Sequence, residues 1–169
     1  MGYIGQAMAT GDDLRAAMSS FATGVTLITT LGDGGVVHAM TANSLTSISL
    51  DPPLVLVCVA ATRHTNGFIQ RSGRYTVNVL SRDQVEAARY YAKDDSERTG
   101  DPPVKFTFDA RGMPVVKNCI SYLDCDLVAT HEHGDHAIFV GELKETGTAE
   151  GEPLIFHQRR YGGLERTSD

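Results

Sequence analysis

Two prolines followed by an unbroken apolar run, Pro52-Pro53-Leu54-Val55-Leu56-Val57-Cys58-Val59-Ala60-Ala61, constrain the fold more than any other segment of this chain. The run has no polar face, is rich in β-branched residues and is bounded by proline on one side and by Thr62-Arg63 on the other, which favours a strand over a helix. A strand without alternation is buried on both faces, so it is predicted to be central. It is the longest apolar stretch in the sequence and falls far short of the ~18 residues that a membrane-crossing helix needs.

The elements around it follow from local signals. Leu14, Ala17, Met18, Phe21 and Ala22 recur at helical spacing, with Asp12 as the cap and Gly24 as the stop. Val25 to Leu31 alternates and reads as a strand. Gly32-Asp33-Gly34-Gly35 reads as a hairpin turn, and Val36 to Thr41 as its partner strand. Thr62 to Asn66 leads into a brief helix ending near Gly73, and Tyr75 to Leu80 is a further strand. Ser81 and Gln84 have capping-box spacing and open a helix through Val85, Ala88 and Tyr91. Lys93 to Pro103 is polar and is predicted to be the most mobile segment. Cys119 to Ala129 and Ala137 to Leu143 each place apolar residues on one face of a strand, and Leu154 to His157 is a last short one.

The sum is about seven strands and two or three short helices, joined mostly by hairpin-length connections, which favours a closed or partly closed antiparallel barrel. No alternating βαβ series, GxGxxG or Walker pattern is present, which argues against a doubly wound nucleotide fold. The 169 residues suit one domain, with a core over residues 12–164 and a tail over 1–11. Fifteen basic and 21 acidic side chains give a formal net charge of −6, without a Lys/Arg run, which argues against nucleic acid. Met1 to Thr10 lacks the pattern of a secretory signal, and Gln6 stands where a myristoylation signal wants Ser or Thr. The three cysteines, Cys58, Cys119 and Cys125, have no paired spacing and are expected as reduced thiols of a cytoplasmic protein.

Two motifs compete for the function. Thr130-His131-Glu132-His133-Gly134-Asp135-His136 fits HxHxDH, which resembles the metal-binding signature of the metallo-β-lactamase fold. Three imidazoles and a carboxylate could hold zinc and activate its water. In that family the motif runs from strand into helix, with further ligands downstream. Here Ala137-Ile138-Phe139-Val140-Gly141 continues as strand, and the string reads as the tip of a hairpin.

The second signal is longer. Phe21-Ala22-Thr23-Gly24-Val25-Thr26-Leu27-Ile28-Thr29-Thr30 is followed by Met40-Thr41-Ala42-Asn43-Ser44-Leu45-Thr46-Ser47-Ile48-Ser49-Leu50-Asp51-Pro52-Pro53-Leu54. Later come Gly134-Asp135-His136 and Pro153-Leu154-Ile155-Phe156-His157 leading to Tyr161. This resembles the flavin reductase family, the short-chain reductases of two-component flavin-dependent monooxygenases. The resemblance implies a mainly β, Greek-key-like FMN-binding split barrel with two or three short helices, acting as a homodimer. It implies FMN or FAD as flavin and NAD(P)H, with NADH favoured, as hydride donor. Reduced flavin would pass to a partner monooxygenase. A flavin- or haem-binding barrel without reductase activity is the remaining alternative.

The same resemblance assigns residues. Thr41, Ala42, Asn43 and Ser44, with Ser47 and Ser49 nearby, would lie along the isoalloxazine and ribityl chain. Ala60 and the segment Thr62, Arg63, His64, Thr65 and Asn66 would hold the flavin phosphate at a helix start, where free N–H groups and partial positive charge suit an anion. His136 is expected on the nicotinamide side, positioning rather than transferring a proton. Tyr161, with Arg159 or Arg160, would close over the same pocket; those basic residues equally fit a solvated tail. His131 and His133 are expected as exposed turn residues, with no metal bound.

Overall fold

A computed structural model of the chain describes residues 8–165. Most of the expected tail over residues 1–11, including Gln6, lies outside them. Helix α1 (Gly11–Ser19) is capped by Thr10: its hydroxyl accepts from Asp13 N–H at 3.2 Å, and Asp13 accepts from Thr10 N–H at 2.8 Å. This reciprocal box displaces Asp12 from the cap, and the Thr10 contacts hold the Asp13 carboxyl below its usual range. The helix also stops short of Phe21 and Ala22, because the chain turns at Ser20 to enter β1 (Thr23–Gly24).

The main sheet has seven strands. In chain order they are β2 (Thr26–Leu31), β3 (Val37–Ala42), β4 (Thr46–Leu50), β5 (Pro53–Ala60), β6 (Arg74–Val79), β9 (Ser121–His133) and β10 (His136–Thr148). Between them lie α2 (His64–Ser72), α3 (Val85–Ala92) and a short hairpin of β7 (Phe106–Phe108) and β8 (Pro114–Val116). Two further short strands, β11 (Ile155–His157) and β12 (Arg160–Gly162), pair with each other and with β1. All ladders are antiparallel, and the main order is β3-β2-β6-β9-β10-β5-β4.

This order forces the sheet to curl. Strands β3 and β4 stand at opposite ends of it, yet only Asn43, Ser44 and Leu45 connect them. That link reaches at most roughly 14 Å, whereas a flat sheet would hold the two strands roughly 29 Å apart. The sheet therefore closes on itself into a split barrel, with a seam between β3 and the β4–β5 edge.

Inside the barrel Ile28, Val55, Val57, Val59, Tyr75, Val77 and Phe139 form one core. Outside it Leu27, Leu80, Ala87, Ala88 and Leu154 form a second core under α3. Strands β2 and β6 are buried on both faces, β2 with Ile28 inward and Leu27 outward. The apolar run of β5 corrects the expectation made of it. It lies one strand from the sheet edge, its Val55, Val57 and Val59 are buried, and Leu54, Leu56 and Cys58 on the outward face are only half-buried. No layer of the described chain covers that face.

The polar segment Lys93 to Pro103 is exposed apart from Arg98, which ties it to α3. Arg98 is only 12% exposed, pairs with Asp95 at 2.6 Å and lies 5.0 Å above the Tyr91 ring, so the guanidinium plane supplies the packing that apolar residues would.

Candidate functional site

Small polar residues gather at the seam. Ser44 stitches it: its hydroxyl accepts from Cys58 N–H at 3.0 Å and donates to Cys58 C=O at 2.9 Å. The register of β4 on β5, with Thr46 opposite Leu56, carries Asn43 and Ala42 towards Ala60. On the other side of β5, β10 pairs His136 with Ala60, and Ala61 N–H donates to Asp135 C=O at 2.9 Å. Thr41 is tied from above, its hydroxyl donating to Ala88 C=O of α3 at 2.7 Å. Thr41, Ala42, Asn43, Ser44, Ala60 and His136 are thereby drawn to one end of β5. Ser47 and Ser49 are not, because they pair with Val55 and Leu54, about five residues or roughly 17 Å further along the edge.

Three cavities are relevant here, two of them sharing lining residues. The first, about 170 Å³, is bounded by Thr41, Ala42, Asn43, Val25, Ala92, Phe156 and Tyr161. The Phe156 and Tyr161 rings stand 5.1 Å apart and Arg89 lies 5.9 Å over Tyr161. Burial pushes the Tyr161 phenol up from its usual pKa, with Arg89 opposing.

The second cavity, about 220 Å³, is bounded by Thr62, Arg63, His64, Thr65, Asp94, Asp95, Ser96 and Arg98. Helix α2 begins here with no side-chain cap, which leaves first-turn N–H groups for a ligand. Arg63 reaches across to the end of α3, donating to Ala92 C=O at 2.7 Å and Lys93 C=O at 2.9 Å and pairing with Asp94 at 2.6 Å. His64 Nδ1 lies 2.9 Å from Asp95. Thr65 and Asn66 are buried, and Asn66 accepts from Gln70 at 2.7 Å, so its amide braces the helix instead of lining the cavity. Ala92 joins this cavity to the first, since Arg63 holds its carbonyl.

The third cavity, about 530 Å³, shares Asn43 and Phe156 with the first and extends past Met18, Phe21, Arg15 and Asp12 of the α1 region to Arg159.

The histidine string forms the turn between β9 and β10, and all six residues from His131 to His136 are exposed. His136 Nδ1 sits 2.7 Å from Asp135, which holds that carboxyl below its usual range. Among the described residues no three His, Cys, Asp or Glu side chains converge on a point where a metal ion could sit. His136 does not line the cavities of Arg159 and Tyr161; it approaches from the Ala60 side. Ala92, Asp94, Asp95 and Arg98 were not singled out from sequence, and Phe156 was named only within the Pro153–His157 motif, without a role. Only the Asp95–Arg98 spacing of three residues hinted that the loop is built around charge pairs.

Comparison with known proteins agrees with this architecture. The flavin reductase like domain family matches residues 18–165. An NADH-dependent flavin reductase of a Rhodococcus species is 37% identical over 154 residues, covering 90% of this chain and 85% of that protein. The NADH-dependent flavin reductase StyB of Pseudomonas fluorescens is 34% identical over 152 residues, covering 88% and 87%. The structure of the NADH:FAD oxidoreductase SgcE6 of Streptomyces globisporus with NAD and FAD fragments superposes with a TM-score of 0.85 at 33% identity, covering 94% of each chain. A mainly β split barrel whose seam gathers small polar residues beside an uncapped helix start, matched over nearly its whole described length, places this chain in the flavin reductase family.

Proposed function

We propose that the protein is an NADH-dependent flavin reductase that supplies reduced FMN or FAD to a partner monooxygenase, working as a cytoplasmic homodimer. The observation that carries this reading is the cleft of Thr41, Ala42 and Asn43, linked through Ala92 and Arg63 to the uncapped start of α2. Small side chains let backbone amides approach a flat ring, and the helix start suits a phosphate. A flavin held there would supply the hydride-accepting ring for reduced nicotinamide. Thr62, His64 and the N–H groups at His64 and Thr65 hold the phosphate, with Arg63 adding field from its place at the α3 terminus. Ser44 keeps the seam closed under the ring. His136 positions the nicotinamide from the Ala60 side, while Tyr161 and Arg159 act from the cavities that they line.

NADH oxidation followed at the nicotinamide absorbance, with FMN, FAD and riboflavin in turn, tests this reading; absence of turnover with every pair overturns it. His136→Ala should lower kcat/KM by about 1–3 kcal/mol of transition-state stabilisation, as for one charge-assisted contact. His131→Ala and His133→Ala should match the parent, and EDTA should have no effect. Equal, severe losses at all three histidines together with EDTA sensitivity would return the histidine string to metal binding.

The homodimer rests on the uncovered outward face of β5 and β10, where Leu54, Leu56, Cys58, Ile138 and Val140 are half-buried. A second copy is the simplest cover for such a face. Light scattering should give twice the mass of the 18.2 kDa chain, and Leu56→Asp should shift it towards monomer. A fully active monomer at micromolar concentration would contradict it.

A further inference from the structure

The turn between β11 and β12 is two residues long, Gln158 and Arg159, and both are left-handed, with φ of 47° and 61°. Turns of this type favour Asn-Gly or Gly-Gly, because L side chains there crowd the backbone. The turn is also tied down, with Gln158 N–H donating to Ser19 C=O at the end of α1 at 2.8 Å. A long cationic side chain thus stands at a strained, fixed position where glycine would be strain-free. Strain of this kind points to a role for the side chain that replaces glycine.

The surroundings narrow that role. Arg159 lines the cavity of about 530 Å³ that continues the ring cleft beyond Asn43 and Phe156. Among the described residues it has no carboxylate within ion-pair distance, whereas Arg15 in the same cavity already holds Asp12 at 2.7 Å. The other end of the cleft, at α2, has its own anion-binding feature in the uncapped helix start, where Arg63 is already paired with Asp94. A flavin whose phosphate lies at α2 leaves the Arg159 end for the nicotinamide dinucleotide.

Resting on the reductase reading, we propose that Arg159 is a binding residue for the pyrophosphate of the nicotinamide dinucleotide, held in place by the strained turn. The cavity beside it has room for the adenosine half, and a guanidinium suits a pyrophosphate through paired donors.

The test measures NAD+ binding to flavin-loaded protein by calorimetry, thermal stability, and turnover of NADH and of 1-benzyl-1,4-dihydronicotinamide, which carries no phosphate. Arg159→Ala and Arg159→Gly should each weaken NAD+ about tenfold or more, as for a lost charged hydrogen bond. Arg159→Lys should recover part of this. Arg159→Gly should at the same time melt higher than Arg159→Ala, because it relieves the turn. The loss in kcat/KM should be at least about tenfold smaller for the benzyl donor than for NADH. Unchanged NAD+ affinity, or equal losses with both donors, would overturn the assignment to pyrophosphate. Failure of the parent protein to oxidise either donor would instead overturn the reductase reading itself.

Discussion

Gly141→Val should be the most damaging single substitution in the barrel, costing about 4 kcal/mol, at the upper end of overpacking effects. A Cβ at Gly141 would stand 2.7 Å from Tyr75 Cζ and 2.8 Å from Cys125 Cβ, with the Tyr75 hydroxyl oxygen closer still. Neither neighbour has room to yield. Tyr75 and Cys125 are both 0% exposed, and the Tyr75 hydroxyl donates to Phe139 C=O at 3.3 Å. Burial also raises the Tyr75 phenol far above its usual pKa, so it stays a neutral donor. Gly141→Ala should cost about 2 kcal/mol by the same mechanism. For a domain of this size each kcal/mol lowers Tm by about 2–4 °C, so the valine variant should melt about 8–16 °C below the parent. Tyr75→Phe alone should cost about 1 kcal/mol, one modest hydrogen bond. Combined with Gly141→Ala it should cost less than the sum, because it removes the nearest atom. Additive losses in urea unfolding would contradict the steric account.

That close approach illustrates what the sequence could and did not reveal. Strand identities were legible because they are local: alternation in Val25 to Leu31, the apolar run after Pro53 and the capping box of Ser81 with Gln84, whose Oε1 accepts from Ser81 N–H at 3.0 Å. Burial was less so. The run in β5 reads as buried on both faces because its residues are all apolar, yet the folded chain covers only Val55, Val57 and Val59. The outward residues belong to a surface that local patterning does not distinguish from a core. Conversely β2, with threonines at 26, 29 and 30, reads as half-polar and is buried on both sides. Those hydroxyls meet backbone carbonyls within the fold, Thr26 reaching Ala42 C=O at 2.7 Å and Thr30 reaching Arg74 C=O at 2.8 Å.

The site shows the same division. The small-residue segment Thr41 to Ser44 and the start of α2 were legible as a pair because the family resemblance joined them. What the sequence concealed was the closure of the sheet that brings them together, a consequence of strand order and not of any residue in the segment. It also concealed that Arg63 caps α3, that Asn66 braces α2, and that Ser47 and Ser49 run away along the edge. Each is a long-range outcome, set by which strand end meets which helix end.

Asn78→Ala should cost about 3 kcal/mol, the second large effect expected, and it acts at a distance from the seam. Asn78 is 0% exposed on β6. Its amide donates to Leu27 C=O and to the Thr29 hydroxyl, each at 3.0 Å, and its carbonyl accepts from Val116 N–H at 2.8 Å. Thr29 in turn donates to Pro114 C=O at 2.6 Å. The hairpin of β7 and β8 is therefore docked on the barrel by side chains instead of by a sheet ladder. Removing the amide leaves a buried Val116 N–H unpaired, which costs about 1–3 kcal/mol on its own, and the lost bonds add to it. Val116 packs with Ala87, Ala88 and Tyr91, so the loss should reach α3 and loosen its hold on Thr41. Asn78→Asp separates the acceptor from the donor. It keeps the oxygen for Val116 but buries a carboxylate facing Leu27 C=O, so its folded pKa is raised above the unfolded value of about 3.9. Its stability relative to Asn78→Ala should then be greatest below that value and should be lost as pH rises through the folded pKa, because the folded state binds the proton more tightly. Denaturant midpoints of the two variants across that range provide the check. Parallel pH curves would mean that the side chain at position 78 is hydrated and that the hairpin is held by its apolar contacts alone.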